Sequence, residues 1–339
     1  MLRDETRAIM ASTTRARSDD SSTLATVIVN FRTAALTAQV VEALLSEIQE
    51  IDGQVVVVDN DSGDGSFEHL AETARARGWD ERVAVIRSDR NGGFGYGINV
   101  GVRHALSSPR PPRFVYVLNP DAFPQRDAVR ALVDTFEADP RIGIAGSHIH
   151  AAEGDERVGA FRFPTLFSEF ESTINFGPVS RLLRRWMISD ELPTQTCEVD
   201  WVSGTSFMVR REVFESIGLF DDGFFLYFEE IDFCKRSKGS GFKNVFVPRS
   251  AIRHIGSVST QMHKNDRPMP EYWFASRRRY FTKHHGAAYT ALCDALWIAG
   301  SSLARVKRQI QGEKDPSKPR MLRDFIRYNV PRSLGRSLP

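Results

Sequence analysis

The sequence predicts an α/β protein: a doubly wound, mostly parallel sheet with helices on both faces, followed by a helical, basic C-terminal extension. Three observations carry this. Short apolar runs (Thr26–Val29, Val55–Val58, Val83–Ile86, Phe114–Leu118) alternate with stretches of helical spacing, the pattern of βαβ crossovers. The run Val55-Val56-Val57-Val58 contains no polar residue, as a central parallel strand buried on both faces requires. Finally, polar residues collect just past these runs: Asn30, Asp59, Asn60, Asp61, Arg87, Asn91, Asn119 and Asp121. Open parallel sheets bind ligands beyond those carboxyl ends.

Taken in order, Ala34–Ile48, Phe67–Arg77 and Tyr96–Leu106 are expected as helices between the first four strands. Beyond Gly143–Ser147 the alternation weakens. Residues 150–200, with Phe161, Phe163, Phe167, Phe170, Phe176 and Trp186, are expected to meander over the site rather than form a separate domain. Regularity returns at Val199–Val209, with helices at Arg211–Ile217 and from Glu229-Glu230 to near Gly239. A strand Val245–Val247 is expected to end at Pro248, which lacks a ladder donor. A helix from Glu271 to His285 is closed by Gly286, with His284-His285 as its C-terminal cap. The division is a leader without fixed structure (1–22), one α/β domain (23–286) and a basic amphipathic extension (287–339).

Composition excludes several classes. With 339 residues and balanced totals of 45 bases and 43 acids, the chain is neither disordered nor fibrous. Its 3 cysteines, Cys197, Cys234 and Cys293, are scattered, which argues against a disulfide scaffold or zinc ribbon and for a reducing compartment. No secretory h-region and no membrane-spanning run is visible, so a cytoplasmic location is expected. The balance hides an asymmetry: from Ser301 onward there are 10 bases and 3 acids. With the apolar residues of Ala287–Ile310, such a tail suits the anionic inner face of a membrane, where the protein would sit peripherally. Nucleic acid is not expected as a partner, because only Phe325 and Tyr328 accompany these bases as stacking aromatics.

Four groups of residues could carry chemistry. The glycine-rich stretch Asn91–Gly101 does not fit a dinucleotide fingerprint in register, and the first βα turn, Asn30–Ala35, has no glycine; a dehydrogenase is disfavoured. Glycines 92, 93, 95 and 97 would still let backbone approach a ligand closely. Asp121, after the strand Phe114–Leu118, could bind a divalent cation whose shell substrate phosphates complete, although on its own Asn119-Pro120-Asp121 reads first as a turn. Glu229, Glu230 and Asp232 crowd three carboxylates beside the aromatic run Phe224–Phe228; crowding raises a carboxyl pKa toward that of a general base. His254, just past a strand, reads on its own as structural.

In this order the pieces resemble the family 2 inverting glycosyltransferases of the GT-A fold, especially the rhamnosyltransferase-like bacterial subgroup. The matching stretches are TVIVNFRT (26–33), VVVVDNDSGDGS (55–66), RNGGFGYGINVG (90–101), VLNPDA (117–122), VDWVSGTSFMVRREVF (199–214), GLFDDGFFLYFEEIDFCKR (218–236) and RHIGSVS (253–259). The resemblance implies that Asp59, with Asn30, Asn60 and Asn91, binds the nucleotide of a dTDP- or UDP-sugar. Gly93, Trp201, Gly204 and Asp232 would shape the donor and acceptor pocket. Asp121 and His254 would hold Mg²⁺ or Mn²⁺ on the diphosphate. Many relatives have Asp-x-Asp where this chain has Asn119-Pro120-Asp121, which leaves a single carboxylate in that motif. Glu230, with Glu229 beside it, would be the base that activates an acceptor hydroxyl. The implied reaction is inverting transfer of one sugar, L-rhamnose by the subgroup, to a lipid-linked or cell-surface polysaccharide acceptor. The rival from another class is a nucleotide-sugar-fold binding protein that has lost catalysis, as Asn119 would allow.

Overall fold

The computed structural model describes residues 22–151, 156–157, 159–174, 176–189, 192–256 and 267–333. The expected leader therefore lies, apart from Ser22, outside the described residues, as does the end of the 253–259 stretch. In chain order the elements begin with β1 (Leu24–Asn30), α1 (Ala34–Glu47), β2 (Gly53–Asp59), α2 (Ser66–Ala76), β3 (Val83–Arg87), α3 (Phe94–Leu106), β4 (Phe114–Leu118), β5 (Ala122–Pro124), α4 (Ala128–Ala138) and β6 (Ile142–Ala151). There follow β7 (Glu156–Arg157), β8 (Ala160–Phe161), α5 (Leu166–Ile174), α6 (Gly177–Leu182) and a 3₁₀ turn (Arg184–Trp186). The remainder comprises β9 (Cys197–Val199), β10 (Trp201–Val202), β11 (Ser206–Arg210), α7 (Arg211–Ile217), α8 (Glu229–Gly239), β12 (Lys243–His254), α9 (Glu271–Gln311) and α10 (Met321–Ser333).

The main sheet runs β3-β2-β1-β4-β11-β6-β12-β5. Strands β3, β2, β1 and β4 are parallel, and β11 enters antiparallel between β4 and β6. Both faces are covered, as the uninterrupted valine run anticipated. Val55 and Val57 pack with Leu24, Ile28 and side chains of α1, α2 and α4. Val56 and Val58 turn to the other face, with Val27, Val29 and side chains of α3, α7 and α8. Each valine fully buried in this way contributes about 1.5–3 kcal/mol. The parallel register sets Asn30 opposite Asp59 and Asp59 opposite Arg87, so three polar residues reach the carboxyl edge in one row.

Three segments differ from expectation. Strand β12 does not stop at Pro248 but continues to His254; its pairing with β6 slips between Val247 and Ala251. Pro248 sits in that irregularity, where no ladder donor is required. The continuation pairs His254 with Ala122 and so carries the histidine to the site. Residues 150–200 contain two helices as well as short strands. Helix α5 was hidden because Glu169 is buried on its inner face, which spoils an amphipathic pattern. That carboxylate accepts from Arg277 Nε at 2.7 Å, and Arg277 Nη1 donates to Asp294 at 2.6 Å. Asp294, which interrupts the apolar run after Gly286, is therefore one side of a buried ion cluster joining α5 to both halves of α9. Gly286 does break the helix, with φ 82° and ψ 171°, but helical geometry resumes at once and runs on to Gln311.

Candidate active site

The carboxyl edge of β1 and β2 holds a polar cluster in which each member fixes the next. Asp59 Oδ1 accepts from Asn30 Nδ2 at 2.8 Å and from Ser62 Oγ at 2.6 Å, and Asp59 Oδ2 accepts from the Ser62 N–H at 3.2 Å. Asn30 Oδ1 in turn accepts from Thr37 Oγ1 at 2.8 Å. One residue on, Asn60 Nδ2 donates to Asn91 Oδ1 at 3.1 Å and to the Gly93 carbonyl at 3.0 Å, while Asn60 Oδ1 accepts from Ser88 Oγ at 3.1 Å. Asn30, Asp59 and Asn60 are buried. The four residues expected at the nucleotide are thus brought together. Ser62, Ser88 and Thr37 join them unannounced, although Asp59-x-x-Ser62 has the spacing of a side-chain turn.

Asp121 and His254 also meet. Asp121 follows β4, His254 ends β12, and their Oδ1 and Nε2 atoms lie 3.0 Å apart with both side chains largely buried. A carboxylate oxygen beside an imidazole nitrogen fits a divalent cation that takes most of its shell from water and phosphate, as Mg²⁺ characteristically does. Among the described residues no group of three or more His, Cys, Asp or Glu converges as a self-sufficient metal cage.

Glu229 and Glu230 open α8 after a tight, strained approach. Tyr227 and Phe228 both have positive φ, 69° and 70°, a conformation costing on the order of 1–3 kcal/mol per residue. Helix α9 holds them there: Ser276 Oγ donates to the Leu226 carbonyl at 2.9 Å, and Tyr272 packs against Phe225 and Tyr227. Glu229 is buried beside Gly95 and Phe220, whereas the Glu230 carboxyl faces Gly204. The Oε2 atom of each is buried without a hydrogen-bond partner among the described residues. Burial pushes the Glu230 carboxyl up to about 7. Burial, and then the neighbouring Glu230, push Glu229 well above the usual carboxylate range. The pair is a proton acceptor poised near neutrality.

Asp232 does not share that environment. Burial pushes its pKa up, but bonds from His284, Lys283 and Arg236 outweigh this and hold it below the usual range. His284 therefore reaches across to α8 rather than capping its own helix, and His285 contacts Lys235 Nζ at 2.9 Å. Trp201 stacks on Phe161 and donates Nε1–H to the Arg162 carbonyl at 2.9 Å. Gly204 leaves the space that Glu230 faces. The glycine stretch corrects its expected use. A Cβ at Gly92 would meet the Tyr96 ring, at Gly97 Val29, and at Gly101 Val27 and Val58. These glycines admit the chain itself and let α3 lie close on the sheet. Gly93, with φ 91°, abuts the Phe225 carbonyl, to which the Phe94 N–H donates at 2.9 Å. No sequence signal announced that contact, yet it joins the Asp59 cluster to the strained loop before Glu229.

Residues 26–218 match the model of the family described as Glycosyl transferase family 2. The chain belongs to glycosyl transferase family 2. It is 26% identical over 226 residues to the N-acetylglucosaminyl-diphospho-decaprenol L-rhamnosyltransferase of Mycobacterium tuberculosis, covering 64% of this chain and 71% of that protein. It is 28% identical over 160 residues to the rhamnosyltransferase WbbL of Escherichia coli K12, covering 46% of this chain and 58% of that one. The low-salt glycan biosynthesis hexosyltransferase Agl10 of Haloferax volcanii is 28% identical over 220 residues, covering 63% and 61%. The structure of a mannosyltransferase from Pyrobaculum calidifontis, in complex with GDP-Man and Mn²⁺, superposes with TM-score 0.53 over 94% of this chain and 88% of that one, at 14% identity. That likeness concerns the fold, which is GT-A. The protein is a glycosyltransferase. The family match ends at Gly218, ahead of Glu229, Glu230 and His254, so geometry alone ties those residues to the site.

Proposed function

We propose that the transferase moves one sugar, L-rhamnose, from its dTDP or UDP carrier to a hydroxyl of a lipid-linked or cell-surface polysaccharide acceptor, with inversion. The observation that carries this is Glu230, a half-buried residue whose Oε2 atom is buried without a hydrogen-bond partner among the described residues, set beside Gly204 and joined through Phe225 and Gly93 to the Asp59 cluster. Similarity to the two rhamnosyltransferases supports the sugar, and the diphospho-decaprenol in the name of one of them supports the acceptor class.

Asp59 and Asn30 orient the pyrimidine nucleotide, with Asn60 and Asn91 fixing the turn behind it. Glu230 takes the proton of the acceptor hydroxyl as that oxygen attacks the anomeric carbon; the nucleoside diphosphate leaves from the opposite face. The transition state has oxocarbenium character, as in glycoside cleavage. Glu230 in turn raises the proton affinity of Glu229. Asp121 and His254 would hold a Mg²⁺ or Mn²⁺ ion, which when bound supplies charge stabilisation to the departing diphosphate worth several kcal/mol. Trp201 and Gly204 bound the pocket, and Asp232 fixes the far side of α8.

We place the enzyme on the inner face of the cytoplasmic membrane. Leu292, Leu303, Val306 and Ile310 are exposed along α9, Ile310 to 82%, in a chain segment rich in bases; interfacial helices combine such features. No described helix is long and apolar enough to cross a membrane. Replacing Leu303, Val306 and Ile310 together by serine is expected to weaken binding to anionic vesicles at least ~10-fold, since burying each side chain is worth about 1.5–3 kcal/mol. Unchanged binding would remove the membrane from the account.

Thermal unfolding with thymidine, uridine and guanosine diphosphates, each with and without Mn²⁺, tests the donor. A ligand at ~100 times its dissociation constant adds about 2.7 kcal/mol of stability. Mn²⁺-dependent stabilisation by a pyrimidine diphosphate is expected. Response to guanosine diphosphate alone, or to none, would contradict the proposal.

A further inference from the structure

A cavity of about 830 Å³, lined by no residue of the Asp59 cluster, lies between α9, the 315–320 turn and α10. Five cationic residues line it: Arg305, Arg308, Lys318, Arg320 and Arg323. The single lining acid, Asp315, is paired with Arg308 at 3.2 Å. The rest of the wall mixes apolar side chains with the hydroxyls of Ser172, Thr173, Ser301 and Ser317. Trp297 is stacked on Phe325 at 3.8 Å between ring centroids, which closes the back of the cavity, and Trp273 forms the side toward the active site. Met269 and Met321 complete that surface.

Such a wall divides into two chemistries. Guanidinium groups match phosphate oxygens in geometry as well as charge; Arg323 is paired with Asp324 as Arg308 is with Asp315, and the lining cations still outnumber these two acids. Tryptophan and methionine faces suit an apolar chain of irregular shape. The cavity also borders the chemistry. Trp273 packs edge-on against Phe228, ring centroids 6.3 Å apart, and Phe228 is the residue immediately before Glu229. One aromatic layer therefore separates the cationic cavity from the head of α8.

We propose that this cavity holds the diphosphate of a lipid-linked acceptor, with its first hydrocarbon units against Trp273, Trp297 and the methionines. This rests on the acceptor class proposed above. The cavity would anchor the acceptor by its invariant part while leaving the sugar free to reach Glu230 past Phe228. It also gives the basic extension a role in binding substrate, separate from any attraction to the membrane as a surface.

The test uses the full chain with its donor site filled by thymidine diphosphate and Mn²⁺, so that a phosphate probe cannot report the donor pocket; uptake of that nucleotide checks the donor reading independently. Farnesyl diphosphate, below its micellar threshold, is the probe, compared with farnesol and inorganic pyrophosphate by calorimetry. Farnesyl diphosphate is expected to bind at least ~10-fold more tightly than either fragment, because both halves of the wall are engaged. Arg305→Gln with Arg320→Gln, both exposed side chains, is expected to weaken it by ~10-fold or more at unchanged melting temperature and unchanged nucleotide affinity. Pyrophosphate binding as tightly as farnesyl diphosphate would overturn the proposal in favour of a simple anion site. Indifference to the double substitution would also overturn it, as would ready displacement of the probe by phosphatidylglycerol vesicles, which would show a general lipid-headgroup surface.

Discussion

The two ends of the active site are built on opposite principles. Around Asp59 the polar side chains are tied to one another: Asn30, Ser62 and Thr37 on one side, Asn60, Asn91 and Ser88 on the other. Strands β1 and β2 there are regularly paired in parallel, and the turns that follow them hold the single residues Arg32 and Asp61 at positive φ, 58° and 56°. Around Glu230 the buried Oε2 atoms of both glutamates have no hydrogen-bond partner among the described residues, and two successive non-glycine residues are held at positive φ. A rigid, satisfied end suits recognition of an unchanging nucleotide, because little has to be reordered on binding. An unsatisfied, desolvated end suits chemistry, because a carboxylate already stripped of solvent is a stronger base. In the proposed mechanism one task falls to the sheet edge and the other to a loop clamped by α9.

Breaking the joint between the two ends should have the largest effect on the folded state. A Cβ at Gly93 would lie 1.8 Å from the Phe225 carbonyl oxygen, on a backbone with φ 91°. Gly93→Ala is expected to lower stability by about 2–5 kcal/mol, seen as a shift in denaturant midpoint, and to impair nucleotide binding and transfer together. Asp59→Ala should separate them. It strands the Asn30 amide and the Ser62 hydroxyl in a buried setting, and nucleotide affinity should fall by ~10–100-fold, the equivalent of about 1.5–3 kcal/mol. The shape of the pH profile of the surviving transfer should be unchanged, since Glu230 is untouched.

A pH-dependent effect reads the unsatisfied end through stability. The folded-state pKa of Glu230 is raised from the ordinary 4.5 to about 7. The folded protein therefore retains a proton that the unfolded chain releases first, and stability falls as pH climbs from ~4.5 through ~7. Glu230→Gln removes this loss. The melting temperature of the variant relative to wild type should rise between pH 5 and pH 8; a constant difference would show that Glu230 is not buried as described.

Much of this was legible in the residues. The valine run of β2, the alternation of elements and the polar strand ends led to the sheet, and the seven stretches led to the glycosyltransferase family. What escaped were features that only packing decides. The sequence ends β12 at Pro248, because the irregularity opposite β6 that accommodates this proline depends on the partner strand. Helix α5 was missed because its buried Glu169 is neutralised by Arg277, more than a hundred residues away in the chain. The glycines of 92–101 were assigned to a ligand because sequence cannot distinguish a close approach of substrate from a close approach of Val29 or Phe225. Asp232 was grouped with Glu229 and Glu230 by adjacency, yet on the helix it turns to Arg236, Lys283 and His284.

The division of labour within the site is tested most directly on one variant with two readouts, Glu230→Gln. Affinity for thymidine diphosphate with Mn²⁺ is measured by calorimetry and sugar transfer by single-turnover assay. Nucleotide affinity is expected to remain within about twofold of wild type while transfer falls by ~10²–10⁴-fold, the range for loss of a general base. Wild-type transfer by this variant, or loss of nucleotide binding in proportion to transfer, would contradict the assignment of Glu230 as the base and the separation of the two ends.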